Sequence, residues 1–202
     1  MPLAPLLAAA LFAAPAAPDH HEEGETKDLT KPPAVGDTAP DFALTPMTGG
    51  EKVTLSSFTK DGPVALVVLR GFPGYQCGLC GRQVSDLLKR ADAFEKAGAK
   101  VVMIYPGPTG LSGGLDGQAK EFTRGVKLPD HYTVLLDPGY EFTNRYALRW
   151  DAPRETAYPG TFVLTPDRKV TYAKVSKSHG GRAPTGEVLA AVKKVKKAGG
   201  KG

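Results

Sequence analysis

Cysteine is nearly absent from this sequence: 202 residues carry only two, Cys77 and Cys80. That scarcity excludes a small scaffold stapled by several disulfides, and it excludes a four-cysteine zinc site. Methionine occurs three times, and Met47 and Met103 do not cluster, so a methionine-lined copper site has little to build on. No apolar run is comfortable as a membrane span, because the longest one is short and interrupted by Pro5 and Pro15. No aromatic residues lie among Lys193, Lys194, Lys196, Lys197 and Lys201. The net charge of +5 therefore reads as including a solvated helix end rather than a base-stacking surface. Internal repeats are also missing.

The N-terminus reads as an export leader. Residues 2–17, PLAPLLAAALFAAPAA, are apolar and small, and Ala14-Pro15-Ala16 fits the small-x-small cleavage pattern. No Lys or Arg precedes the run, which departs from the usual signal. The expectation is a signal peptide over residues 1–17 and a flexible linker over residues 18–35, with one folded domain over residues 36–198. The protein is then exported to a bacterial periplasm or cell envelope. His20 and His21 in the linker read as a solvated tail, since no further metal ligand lies near them in sequence.

Hydrophobic residues make up 41% of the chain, enough for a real core. Residues 41–54 suggest a hairpin turning at Thr48-Gly49-Gly50. Residues 63–70, PVALVVLR, are apolar on both alternating faces, as in a strand covered on both sides. Val84, Leu87, Leu88, Ala91 and Phe94 keep helical spacing and predict one helix over residues 77–97, with Gly98 as its cap. Residues 100–105, KVVMIY, predict the next buried strand. A glycine-rich loop is expected over 107–117, then a short helix over 118–124, a strand over 133–136 and a helix over 140–148. A hairpin over 161–174 and a last helix capped by Thr185 complete the pattern. Strands alternating with helices imply an α/β fold, a central mixed sheet flanked by helices on both faces, with an N-terminal β-hairpin extension.

The chemistry gathers in Gly71-Phe72-Pro73-Gly74-Tyr75-Gln76-Cys77-Gly78-Leu79-Cys80. Two scattered cysteines would mean little. Two at Cys-x-x-Cys, between a buried strand and a long amphipathic helix, are a redox signal. A thiol at a helix N-terminus meets unpaired N–H groups and the positive end of the macrodipole. Lowering a thiol pKa from about 8.5 to about 7 raises its thiolate fraction at pH 7 from roughly 3% to roughly half. A purely structural disulfide would restrict the unfolded chain little across so short a loop. Zinc would need two more ligands, and only His131 and His179 offer them in the domain. No metal and no bound cofactor is expected. A thiolate-based copper(I) binding module is the non-enzymatic alternative.

At these residues the chain resembles the alkyl hydroperoxide reductase/thiol-specific antioxidant family, the peroxiredoxins and their thioredoxin-fold relatives. The opening Gly36-x-x-Ala39-Pro40-Asp41-Phe42, the strand PVALVVLR, the Cys-x-x-Cys helix and the strand VVMIYP carry the likeness. It extends over roughly residues 34–197 in element order. The resemblance implies a thioredoxin-like fold and two possible uses of the pair. Peroxiredoxins carry Pro-x-x-x-Thr-x-x-Cys; here Pro73 and Cys80 match, and Cys77 replaces the threonine. That alignment makes Cys80 the peroxidatic residue and Cys77 the resolving one. In thioredoxin-like reductases the first cysteine attacks, which makes Cys77 the nucleophile and Cys80 the resolving thiol.

The same resemblance singles out the segment before the strand Thr161-Phe162-Val163-Leu164. Peroxiredoxins usually place an arginine there, whereas this chain reads Tyr158-Pro159-Gly160-Thr161. Pro159 falls where thioredoxin-like proteins carry a cis-proline beside the cysteines. Arg70, Arg149 and Arg154 remain as candidate guanidinium donors. The expected function is thiol–disulfide exchange through Cys77 and Cys80, with a hydroperoxide-reducing thiol peroxidase as the alternative. The partners are a thiol or disulfide protein substrate, or a hydroperoxide, and an external thiol reductant. Pro73, Tyr75, Gln76, Trp150, Pro159, Gly160 and Thr161 are the candidate residues shaping the site. Asp41 reads as a turn carboxylate, and Ser178-His179-Gly180-Gly181-Arg182 as a connecting loop that could reach the site.

Overall fold

The computed structural model describes residues 28–71 and 76–199. The expected signal peptide, His20 and His21, and the site candidates Pro73 and Tyr75 lie outside the described residues. The expected linker over residues 18–35 gives way by residue 29. The Leu29 N–H donates to the Arg145 carbonyl at 2.9 Å, Pro33 is buried, and the Gly36 N–H donates to the Val170 carbonyl at 2.9 Å. Buried backbone needs such partners, so this stretch packs as part of the domain.

Strands β1 (Ala43–Pro46) and β2 (Val53–Thr54) form the expected N-terminal hairpin, followed by the short helix α1 (Leu55–Thr59). Asp41 does more than turn the chain. Its carboxylate accepts the N–H groups of Phe42 and Ser56, both at 3.0 Å, and pairs with Arg168 at 3.2 Å. It thereby ties the hairpin's start to α1 and to the far hairpin.

Strand β3 (Val64–Val68) leads into the cysteine segment, then come α2 (Gly78–Leu88), α3 (Ala91–Lys96), β4 (Lys100–Gly107), α4 (Gly114–Thr123) and β5 (Tyr132–Pro138). Helix α5 (Glu141–Arg145), the hairpin of β6 (Gly160–Leu164) and β7 (Val170–Val175), and α6 (Thr185–Gly199) complete the chain. The sheet runs β2-β1-β5-β4-β3-β6-β7. Strands β3, β4 and β5 are parallel neighbours, while β1, β6 and β7 pair antiparallel. This is a thioredoxin-like mixed sheet.

Period-two alternation explains why β3 is apolar throughout. Ala65, Val67 and Leu69 join one core with Val84, Leu87, Phe94, Val188 and Val192. Val64, Leu66 and Val68 join the other core with Phe142, Tyr146 and Phe162. Helices α2, α3 and α6 thus cover one face, and α5 covers the other with Phe42 and Leu55 packed in the same core. Burying a side chain such as Phe94, wholly inaccessible here, contributes on the order of 2–3 kcal/mol.

One expected helix is two. The apolar spacing of Val84, Leu87, Ala91 and Phe94 continues through Lys89 and Arg90, but the backbone leaves the helical region at Arg90 (φ −113°, ψ 16°). Carbonyls at the break find other partners: the Tyr132 hydroxyl donates to Leu87 at 2.8 Å, and the His131 ring bonds the Ala91 carbonyl at 3.1 Å. The helix expected over 118–124 starts earlier, at Gly114, because Leu115 and Ala119 are both buried. The helix expected over 140–148 is shorter. The buried Asp137 carboxylate accepts the N–H groups of Phe142 and Thr143 at its start, and Ala147 at φ 52° ends it.

Candidate active site

Gly71 follows β3 where the chain passes close to β4. A Cβ there would sit 2.5 Å from the Pro106 carbonyl oxygen and 3.0 Å from the Tyr105 ring, so only glycine fits. The chain re-enters at Gln76, whose side chain is fastened at both ends. Its Nε2 donates to the Gln118 carbonyl at 3.2 Å, and its Oε1 accepts the Tyr105 hydroxyl at 3.1 Å. That anchoring fixes the approach of the next residue, Cys77.

Cys77 caps α2. Its backbone is extended (φ −71°, ψ 104°), and its sulfur accepts the Cys80 N–H at 3.4 Å. A sulfur in that position takes one of the orphan N–H groups of the helix start. Cys80 lies one turn in and is wholly buried. Its sulfur accepts the Arg70 N–H at 3.2 Å and points its own S–H at the Arg70 carbonyl, 3.7 Å away. Both thiols are free.

The guanidinium that reaches the sulfurs is Arg182, from the loop between β7 and α6. Its Nη2 lies 2.8 Å from the Cys80 sulfur and 3.3 Å from that of Cys77, and its Nη1 donates to the His179 carbonyl at 2.7 Å. Sequence reasoning noted this loop but did not single out Arg182. Only 3D closure joins residues 182 and 77; the one hint is a basic residue in a glycine-bearing loop beside a helix start.

The three expected arginine candidates have other partners. Arg70 grips the Glu155 carboxylate through both Nε and Nη2, and adds only a weak pull on Cys77. Arg149 donates to the carbonyls of Glu155 and Thr156 and so shapes their loop. Arg154 contributes a carbonyl to Arg70.

Two neighbouring thiols at one helix end do not ionise alike. Hydrogen bonding from Cys80 is the main cause that lowers the Cys77 pKa, to about 5; burial opposes it, and the Cys80 N–H and Arg182 assist. Burial, with the Cys77 charge alongside, pushes Cys80 well above the usual thiol range. Arg182 makes its shorter contact with Cys80, yet the negative charge belongs on Cys77. Cys80 is wholly buried, whereas Cys77, itself only 5% exposed, borders a cleft of about 880 Å³. Val84, Leu88, Phe122 and Leu128 line that cleft, with Arg82 and Arg124 beside them. Its size falls in the range of small-molecule sites.

The remaining candidates divide. Gln76 supports the pair directly, as above. The Thr161 hydroxyl accepts Gln83 Nε2 at 3.3 Å, pinning α2 to β6. Gly160 starts β6 opposite Val68, two residues before Arg70. Pro159 does not meet the cis expectation: among the described residues no peptide bond is cis. Its trans bond fits the ladder, where its carbonyl accepts the Ser176 N–H at 2.9 Å. Trp150 stacks on Tyr158, centroids 4.7 Å apart, and lies 5.0 Å from the His179 ring. It therefore walls the Arg70–Glu155 network. His131 and His179 have separate partners, Ala91 and Glu155, and among the described residues no three metal-ligating side chains gather.

The chain matches the model of the AhpC/TSA family over residues 35–173. Among solved structures it is similar to peroxidoxin BcpB from Mycobacterium tuberculosis, at 24% identity over 80% of this chain and 97% of that one, with a TM-score of 0.63. It is also similar to the mitochondrial 2-Cys peroxiredoxin from Plasmodium falciparum, at 17% identity over 83% and 97% of the two chains, TM-score 0.60. A protein described as the thiol:disulfide interchange protein DsbE, from Chlorobium tepidum, is 25% identical over 79% of this chain and 98% of that one, TM-score 0.56. No curated protein matches the sequence. These likenesses establish the shared thioredoxin fold.

Proposed function

This chain belongs to the AhpC/TSA family and is a thioredoxin-fold thiol oxidoreductase, and on that premise we propose that it reduces disulfides, with Cys77 attacking and Cys80 resolving. The observation that carries the reading is the unequal standing of the two sulfurs. Cys77 is the stabilised thiolate at the cleft, and Cys80 is the buried, protonated partner behind it.

The cycle follows from that division. The Cys77 thiolate attacks one sulfur of the substrate disulfide; a Cys77–substrate bond forms, the substrate S–S bond breaks, and the departing sulfur takes a proton. The Cys80 thiol then loses its proton and attacks the Cys77 sulfur. The second substrate thiol leaves, and Cys77–Cys80 is oxidised by two electrons. An external thiol reductant restores the dithiol. No bound cofactor enters the cycle, and its partners are a disulfide-bearing protein and that reductant.

One observation favours the peroxidase alternative: Arg182 and the Arg70 N–H both converge on the Cys80 sulfur, the position that matches the peroxidatic cysteine. Burial of Cys80 weighs against it. The two readings separate on one experiment, the pH dependence of alkylation by a small haloacetamide, site by site. Cys77 should react with a midpoint near pH 5, the Cys80 site staying unmodified in the folded protein. Preferential Cys80 alkylation, with rapid stopped-flow consumption of hydrogen peroxide, would replace exchange by peroxidase chemistry.

We also propose residues 1–17 as an export signal and the periplasm or cell envelope as the site of action. The apolar leader ending in Ala14-Pro15-Ala16 supports this.

A further inference from the structure

We propose that His179 is a positioning residue: its side chain, moored to Glu155, holds the loop that lays Arg182 across the two sulfurs. The proposal deepens the exchange reading and rests on it for its consequence in catalysis.

Between Ser176 and Ala183, which are both buried, the loop after β7 has little of its own to hold it. Ser176 Oγ bonds the Ser178 carbonyl at 3.0 Å and accepts the Ser178 N–H at 3.2 Å, which closes only a local turn. Gly180 and Gly181 follow, the latter at φ 68°, where most side chains are strained. Beyond them Arg182 extends a long side chain whose ordering costs rotamer entropy.

A mooring offsets that cost. The Glu155 carboxylate is an acceptor only, so His179 Nε2 carries the hydrogen and donates to Oε1 at 2.7 Å. Glu155 is itself held on both sides. Arg70 holds it through both carboxylate oxygens, and its side chain is only 10% exposed. The Trp150 ring flanks His179 and limits its rotation. From the same residue the His179 carbonyl accepts Arg182 Nη1.

The contacts close into a ring: Cys80 sulfur, Arg70 backbone, Arg70 guanidinium, Glu155, the His179 ring, the His179 carbonyl, Arg182, and the Cys80 sulfur again. Arg182 Nε is buried and has no partner of its own. The guanidinium is therefore oriented from Nη1 and Nη2 alone. If the His179 carbonyl moves away, the two sulfurs are the only hydrogen-bond partners left to the guanidinium.

The test uses the full chain in reduced form and compares His179→Ala, His179→Gln, Arg182→Gln and the His179→Ala/Arg182→Gln double variant. The Cys77 thiolate is titrated by its ultraviolet absorbance, and thermal midpoints are taken in parallel. His179→Ala should raise the Cys77 midpoint by about one pH unit, a tenfold change in its protonation equilibrium. It should add nothing in the Arg182→Gln background. His179→Gln, which keeps an N–H for Glu155, should restore most of the wild-type midpoint. A fallen thermal midpoint with an unmoved thiolate titration would overturn the proposal, and so would full additivity in the double variant. If the shift appears but wild-type protein reduces no disulfide, the exchange reading falls and the mooring of Arg182 stands.

Discussion

Cys77→Ser should abolish disulfide reduction, whereas Cys80→Ser should leave the first attack intact and halt the cycle at the mixed disulfide. A serine hydroxyl at position 77 is not ionised near neutrality and has no redox chemistry, so activity should drop to the uncatalysed background. At position 80 the loss is different in kind. The Cys77 thiolate still meets the substrate at the cleft, but no internal thiol displaces the product. Mass spectrometry after mixing with a disulfide-bonded peptide reads both outcomes. A covalent adduct on Cys77 in the Cys80→Ser protein is expected. An adduct on Cys80 in the Cys77→Ser protein, and none in the other, would reverse the assignment.

The Arg182→Gln substitution should have the second-largest effect, and its sign is fixed by which form the cation favours. Arg182 lies against both sulfurs and stabilises the thiolate. A hydrogen bond to a charged group contributes about 1.5–3 kcal/mol. Losing it should raise the Cys77 pKa by about 1–2 units. At pH 6 a thiol of pKa about 5 is roughly nine-tenths ionised, and one of pKa about 6.5 roughly a quarter. The thiolate fraction at pH 6, read by its ultraviolet absorbance, should therefore fall about three- to fourfold, with little change at pH 9. The more basic thiolate gains about four- to sixfold in intrinsic nucleophilicity and so offsets the loss in attack rate. The reduced protein also loses the stabilised anion, so the disulfide becomes harder to reduce, by roughly 30–60 mV.

Stability of the reduced protein should carry the same signature. The Cys77 pKa is depressed on folding, so its contribution is complete above the free-thiol value near 9 and fades as pH falls toward about 5. Denaturant midpoints of the reduced wild type should rise across that window, and those of Arg182→Gln should rise less. An unchanged profile in the variant would mean that Arg182 does not stabilise the anion.

Much of this was legible in the sequence, for a physical reason. Strand β3 is apolar at every position because both faces are covered, and such a run reads from composition alone. The cysteine pair reads from its placement at a strand-to-helix turn. The break at Arg90 was not legible: Ala91 and Phe94 continue the apolar spacing, and the acceptors are capped by Tyr132 and His131, some forty residues away. Arg182 was hidden in the same way. A hundred residues separate it from the sulfurs, and a loop of serine, glycine and histidine reads as connection until the chain closes. Pro159 shows the opposite limit, since family resemblance suggested a cis bond that a pairing with Ser176 does not need.

The central property of the molecule is that the sulfurs of residues 77 and 80 exchange electrons as a unit. Equilibration of the wild type in graded glutathione buffers, followed by acid quench, alkylation and intact mass, measures it. Both cysteines should pass together from two alkylated thiols to none in a single two-electron step, at a potential less negative than about −270 mV because the reduced form is favoured by its thiolate. Independent glutathione adducts at the two positions, with no internal disulfide at any ratio, would contradict it.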